Sequence, residues 1–238
     1  MEANAAAFIE RLEAMQSDDE LRKIQRYFKS GEGEYGQGDR FIGVRMGGMF
    51  ELTKEFLAMP PGELETLLES DIHEARAGAM SIMAKQFALK KTSPERRGEL
   101  FELYLRRHDR INNWDLVDLA AWHVVGAWLV DKPRDVLYRL ARSGSMWERR
   151  TAIIATMAFI RRGELDDTLA IAEILLHDPE DLIHKAVGGM LRTAADKDRP
   201  RLEAFLDKHA ASMPRTMLRY ALEHFDKDRR VHYLGLKP

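Results

Sequence analysis

The sequence predicts an all-α fold, on three observations. Apolar residues recur at helical period through almost the whole chain. Strand signals are scarce, and capping residues, prolines and glycines fall where helices would begin and end. The periodic segments are 4–15, 18–29, 46–58, 62–69, 71–90, 94–107, 113–129, 133–142, 145–161, 165–176, 180–195, 199–208 and 213–225.

Along the chain, Asp18-Asp19-Glu20 loads a first turn with acid, which suits the positive end of a helix dipole. The aromatic-basic helix end Tyr27-Phe28-Lys29 runs into the segment Ser30–Arg40, where four glycines between Gly31 and Gly38 break the periodicity. That segment lacks a Gly-Lys-Ser/Thr ending and is no phosphate-binding P-loop; it reads as a functional loop or as a connector. Ser93-Pro94-Glu95 supplies a cap and a proline at a first helical position. Asn112 or Asn113 caps the segment 113–129, with Asp115 near its positive end. Gly31, Gly144 and Gly163 sit at helix stops.

The helices also repeat. Ile72-His73-Glu74-Ala75-Arg76-Ala77, Trp147-Glu148-Arg149-Arg150-Thr151-Ala152 and Ile183-His184-Lys185-Ala186-Val187 share one pattern: an apolar start, polar residues, a base, then small apolar residues. Arg76 and Arg150 stand 74 residues apart, and Arg150 and Lys185 stand 35 apart. Spacing in the mid-thirties marks stacked helix pairs, so the expectation is a HEAT-like α-α superhelical repeat solenoid over a single domain, 1–238. One helix of each pair would then line a concave face and set these bases in a stripe. A plain helical bundle could carry the same pattern.

Composition narrows the chemistry. A chain 45% hydrophobic and 32% charged describes a soluble folded protein. No run reaches the roughly 18 apolar residues of a membrane span. The start Met1-Glu2-Ala3-Asn4 is unlike a secretory signal, and the absence of cysteine removes disulfides, thiolate metal sites and a Cys nucleophile, so a cytoplasmic protein is expected. A net charge of −2 does not itself suggest nucleic acid, although basic doublets recur at Lys90-Lys91, Arg106-Arg107, Arg149-Arg150 and Arg229-Arg230. They could form one basic face or simply solvate helix surfaces. The eight histidines include no HExxH, GxSxG and SxxK are missing, and no GxGxxG stands between a strand and a helix as a dinucleotide fingerprint requires. Any reaction therefore rests on carboxylates, aromatics and bases, with no metal and no small-molecule cofactor expected.

One pair stands out. Trp114 and Asp118 are four residues apart and share a helix face, and after Asp118 no charged residue appears until Asp131. A carboxylate there is either paired with a base such as Arg150 or placed to meet a cationic ligand. Trp114 alone could equally be a staple at a helix start. Trp122 and Trp128 read as core, Trp147 as core or groove, and the 12 methionines as gap fillers.

Trp114-Asp115-Leu116-Val117-Asp118, Trp147-Glu148-Arg149-Arg150, Lys185-Ala186-Val187-Gly188, residues 38–45 and Met213-Pro214-Arg215-Thr216-Met217-Leu218-Arg219-Tyr220 give the chain its likeness. It resembles the DNA alkylation repair family, and within it the AlkD-like alkylpurine DNA glycosylases. The resemblance implies a solenoid whose concave basic groove holds duplex DNA. It implies hydrolysis of the N-glycosidic bond of cationic lesions such as N3-methyladenine and N7-methylguanine by a monomer acting at the nucleoid, without swinging the base into a pocket. Asp118 matches the catalytic acid, Trp114 the aromatic at the lesion's deoxyribose, and Arg150 the DNA-contacting arginine. Arg149, Trp147, Lys185, Arg76, Tyr27 and Lys29 complete the expected DNA-facing set.

The chain departs from that pattern where the family often carries Lys-Ala-Ile/Val-Gly-Trp. Here Gly189 supplies no ring, and stacking is worth about 1–3 kcal/mol per aromatic. Met46-Gly47-Gly48-Met49-Phe50-Glu51 also replaces a more basic, proline-containing segment. The alternative is thus a catalytically lapsed relative that binds distorted or branched DNA without excising a base.

Overall fold

The computed structural model describes residues 3–29 and 31–236; Ser30 and the first two residues of the N-terminal tetrapeptide lie outside them. Every regular element among the described residues is helical, and β-pairing is limited to one isolated parallel bridge between Arg40 and Ile72. The chain divides into two compact units between Val125 and Gly126. No helix among the described residues is long and apolar enough to cross a membrane.

The first unit contains α1 (Ala5–Glu13), α2 (Asp18–Phe28), α3 (Met46–Glu55), α4 (Pro61–Leu68), α5 (His73–Ala88), α6 (Pro94–Arg106) and α7 (Trp114–Ala120). Caps set several of these boundaries. The side chains of Asn4, Ser17 and Ser93 accept from backbone N–H groups three residues on, and Asn113 accepts from Trp114 N at 2.8 Å. At the centre lies α5, whose side chains are buried over almost its whole length and which packs against α1, α3, α4, α6 and α7. In contrast α2 buries only Phe28 and ends at Lys29, the one non-glycine residue with positive φ among those described. Segment 113–129 is not one α-helix. After Ala120 the chain widens into a π-helical turn, Ala121–Gly126, through which it leaves the unit.

The second unit contains α8 (Asp135–Leu140), α9 (Met146–Ala155), α10 (Met157–Ile160), α11 (Asp166–Ile174), α12 (Asp181–Ala195), α13 (Arg199–His209), α14 (Arg215–Ala221) and α15 (Lys227–Gly235). Here α12 is central, packed by α9, α11, α13 and α14. The expected helix 145–161 breaks at Thr156, whose hydroxyl bonds back to the Ile153 carbonyl at 2.7 Å and competes with the helical ladder. The sequence reading ended at 225, yet α15 follows. Its only buried side chain is Tyr233, which donates to Asp207 at 2.9 Å. One anchor leaves no apolar stripe to read.

Candidate active site in the first unit

The N-terminal turn of α5 organises the site. Its first three polar residues, His73, Glu74 and Arg76, are all buried, an arrangement that requires partners. Glu74 takes three backbone N–H groups of the incoming segment: Ile42 at 3.1 Å, Gly43 at 2.9 Å and Val44 at 3.3 Å. Gly43 is needed there twice over. Its φ is +80°, and a Cβ would lie 2.2 Å from the Ser17 carbonyl oxygen. Arg76 donates to Asp39 at 2.5 Å and to the carbonyls of Ser70 and Asp71.

His73 bridges two carboxylates, with Nε2 at 2.8 Å from Asp115 and Nδ1 at 3.2 Å from Asp39. Burial alone would lower its pKa, but hydrogen bonds and charge attraction from Asp115 and Asp39 raise it to about 9. Asp39 behaves inversely. Burial would raise it, yet His73, Arg76 and Asn112 bring it down to about 2. Asp39 also accepts from Asn113, the cap of α7, at 3.1 Å. One imidazolium and its carboxylates thus tie α5, the segment after the glycine loop and the start of α7 together.

Above this base lies a cavity of about 670 Å³. Its walls include Tyr27, Phe28, Phe41 and Trp114, with Asp118 and Leu119 from α7, and Val44 and Met46 ahead of and within α3. The Trp114 indole stacks on Phe28 (centroids 5.3 Å apart, planes 12° apart) and meets Tyr27 edge-on at 5.7 Å. Its Nε1 donates to the Tyr35 hydroxyl at 3.2 Å, so the glycine loop orients this ring directly. Glu20, also on the wall, accepts from Arg45 at 2.6 Å and Lys23 at 2.7 Å. Those two cations hold its carboxyl at about 2. Their own side chains are 72% and 66% exposed.

Of the residues singled out in the sequence, Trp114, Asp118 and Tyr27 line this one cavity, and Lys29 is exposed just past α2. Arg76 lies beneath it, buried. Arg149, Arg150, Trp147 and Lys185 belong to the second unit. There Arg149 grips Asp178 through Nε at 2.6 Å and bonds the carbonyls of Ser143 and Gly144; Arg150 is buried and donates to the Leu182 carbonyl at 2.7 Å. Lys185 pairs with Asp181 one turn earlier, and Trp147 is half-buried. Adjacent arginines diverge on a helix, as these do.

Sequence reasoning missed His73, Asp39, Asp115, Glu74, Tyr35, Phe28 and Phe41 as site residues. A signal for two of them was present: His-Glu at a buried helix start has to be paired. Among the described residues no cluster of three or more His, Asp or Glu is placed to hold a metal ion.

The first unit of this all-helical chain thus sets a carboxylate, an aromatic-walled cavity and two exposed cations side by side. The chain belongs to the DNA alkylation repair enzyme family, whose sequence profile matches residues 8–225. Among solved structures it is similar to a predicted DNA alkylation repair enzyme from Enterococcus faecalis. That likeness has 16% identity and a TM-score of 0.69, and covers 90% of this chain and 98% of the other. At that identity it shows a shared fold. No curated protein matches at a significant level.

Proposed function

We propose that this protein is a monofunctional DNA glycosylase that hydrolyses the N-glycosidic bond of cationic alkylated purines, N3-methyladenine and N7-methylguanine, in duplex DNA. The single observation that carries the reading is the placement of Asp118 and Trp114 on the wall of one aromatic cavity, in a chain of the alkylation repair family. An alkylated purine already carries positive charge. When the C1′–N bond breaks, its electron pair goes to the purine, which leaves neutral, and the charge passes to the sugar. The Asp118 carboxylate opposes that oxocarbenium charge, directs a water to C1′ and accepts the water's proton as the C–O bond forms. The negative face of the Trp114 indole favours the same charge.

Tyr27 and Lys29 in the first unit, with Trp147 and Lys185 in the second, are assigned to the duplex, and backbone contacts of this kind position it without reading sequence. Arg76 serves the site through Asp39. No cofactor enters the scheme.

The test is release of free purine from duplex DNA carrying N7-methylguanine or N3-methyladenine, followed by chromatography for wild type and Asp118→Asn. Wild type is expected to release methylated base, and the variant to lose at least about 100-fold in rate with an unchanged melt. A folded wild type that releases none would sink the reading. One observation supports the lapsed DNA-binding alternative: Gly189 carries no ring, although the space at its Cβ is open and would accept a side chain. Duplex binding without release is its expected signature.

A further inference from the structure

Trp114 offers its ring to the proposed chemistry, and three contacts set how it is offered. The indole stacks on Phe28 with planes 12° apart, so one face is covered and only the other is left for a ligand. Tyr27 meets it edge-on. Stacking fixes the plane of an indole without fixing its edge. Turning the ring by half a revolution about the Cβ–Cγ bond keeps the stack and exchanges the two faces. Nε1 removes that freedom: it donates to the Tyr35 hydroxyl oxygen at 3.2 Å, and the turned ring would point its N–H elsewhere. The hydrogen bond also shifts charge. An acceptor at the N–H pushes electron density into the ring and makes its open face more negative, the property that a cation–π contact uses.

The loop that carries Tyr35 is held at both ends. Before it, Lys29 caps α2 at a φ of 47°, and its carbonyl accepts from Gly36 N at 3.2 Å. After it, Asp39 is fixed by His73, Arg76, Asn112 and Asn113. Between them Gly33 and Gly38 take φ of +76° and +88°, which residues with a side chain rarely adopt. Tyr35 is half-buried, whereas Glu32 and Glu34 beside it are exposed. Asn113, which bonds Asp39, is also the cap of α7 immediately before Trp114, so the loop and the ring share one anchor.

We propose that Tyr35 is a positioning residue for base excision. Its hydroxyl holds the Trp114 indole in the one orientation, and at the electron density, that meets the positive sugar formed beside Asp118. The assignment rests on the glycosylase reading for the reaction it serves. Tyr35 acts through Trp114 and touches no reacting atom. Because the sugar gains its charge only as the bond breaks, loss of the hydroxyl slows that step and leaves duplex binding alone.

Tyr35→Phe keeps the ring and removes only the acceptor. In the full chain labelled with nitrogen-15, each of the four tryptophans gives one indole N–H signal, and the one missing in Trp114→Phe belongs to Trp114. In Tyr35→Phe that signal is expected to move upfield in its proton shift and to exchange with water faster. Release of N7-methylguanine is then measured in single turnovers, with enzyme saturating a methylated duplex. Tyr35→Phe is expected to lose about tenfold in rate, the worth of one hydrogen bond. Duplex affinity by anisotropy should stay within about twofold, and the melt near wild type. In the Trp114→Phe background, which has no N–H to hold, the same substitution should change the rate by less than about twofold.

An indole signal that stays in place in Tyr35→Phe, a wild-type rate in that variant, or an equal loss in both backgrounds overturns the proposal. Each of these leaves the glycosylase standing, because the wild type still releases base. A wild type that releases no methylpurine, with the indole signal shifted in the variant, removes the reaction and this role with it.

Discussion

At the scale of single residues, the Asp39 carboxylate accepts from four side chains: His73, Arg76, Asn112 and Asn113. Asp115 takes the other nitrogen of His73, so the imidazolium is the cation between two buried acids. Its folded pKa of about 9 lies above the solution value of 6.5, so the folded state holds the proton more tightly. That stabilisation is fully present below about pH 6.5 and is lost as the pH rises through 9. The melting temperature of the wild type is therefore expected to fall by several degrees between pH 7 and pH 9.5. His73→Gln should be less stable at pH 7, by on the order of 3 kcal/mol, because it leaves the buried Asp115 without its cation and Asp39 with Arg76 alone. Its melting temperature should then change little over the same pH interval. Calorimetric scans of both proteins at the two pH values check this, and an equal alkaline fall in the variant would remove His73 as the cause.

At the scale of elements, the contact of α12 with α14 turns on one glycine. A Cβ at Gly188 would lie 2.5 Å from both the Met217 carbonyl oxygen and the Tyr220 Cβ, so the backbones approach there more closely than any other residue permits. One position later, a Cβ at Gly189 would meet nothing within 4 Å. Gly188→Ala is expected to cost about 1–3 kcal/mol, as overpacking does, whereas Gly189→Ala should be neutral or stabilising through its better helix propensity. Urea titrations of the pair distinguish them; equal loss in both would mean that the neighbours give way.

The same segment shows what a sequence can express. Val187-Gly188-Gly189 displays two identical residues, and only the packing of α14 makes one indispensable. A helix with a broad apolar stripe, such as α12, is legible because burial of one face dictates periodicity, whereas α5 is buried nearly all round and is legible by its run of small and apolar helix formers. The break at Thr156 and the single-anchor helix α15 are not, since each depends on one side chain's hydrogen bond. In the site, Trp114 and Asp118 are legible as a pair one helical turn apart. Their surroundings come from residues 27–46 and 73–76, which only the folded segment after the glycine loop brings to them.

At the scale of the whole molecule, a net charge of −2 conceals which cations are available to a polyanion. Arg76 spends its guanidinium on Asp39 and two backbone carbonyls, and Arg149 on Asp178 and two more. A cation already neutralised by a buried carboxylate releases no counterions from DNA when the duplex docks. Lys29 is exposed past the end of α2, and Arg45 projects into solvent from a partly shielded Glu20. Each phosphate contact contributes about −0.9 to the slope of log Kobs against log salt on B-form DNA. Lys29→Ala and Arg45→Ala are accordingly expected to flatten that slope by about 0.9 each, with melting temperatures near wild type. Arg76→Ala and Arg149→Ala should leave the slope unchanged and lower the melting temperature by several degrees, because each takes a cation from a buried acid. Fluorescence anisotropy over a salt series with an undamaged duplex measures all four. A flattened slope in the Arg76 or Arg149 variant would show that docking pulls the arginine from its carboxylate onto a phosphate, and the stripe of bases would then assemble only on DNA.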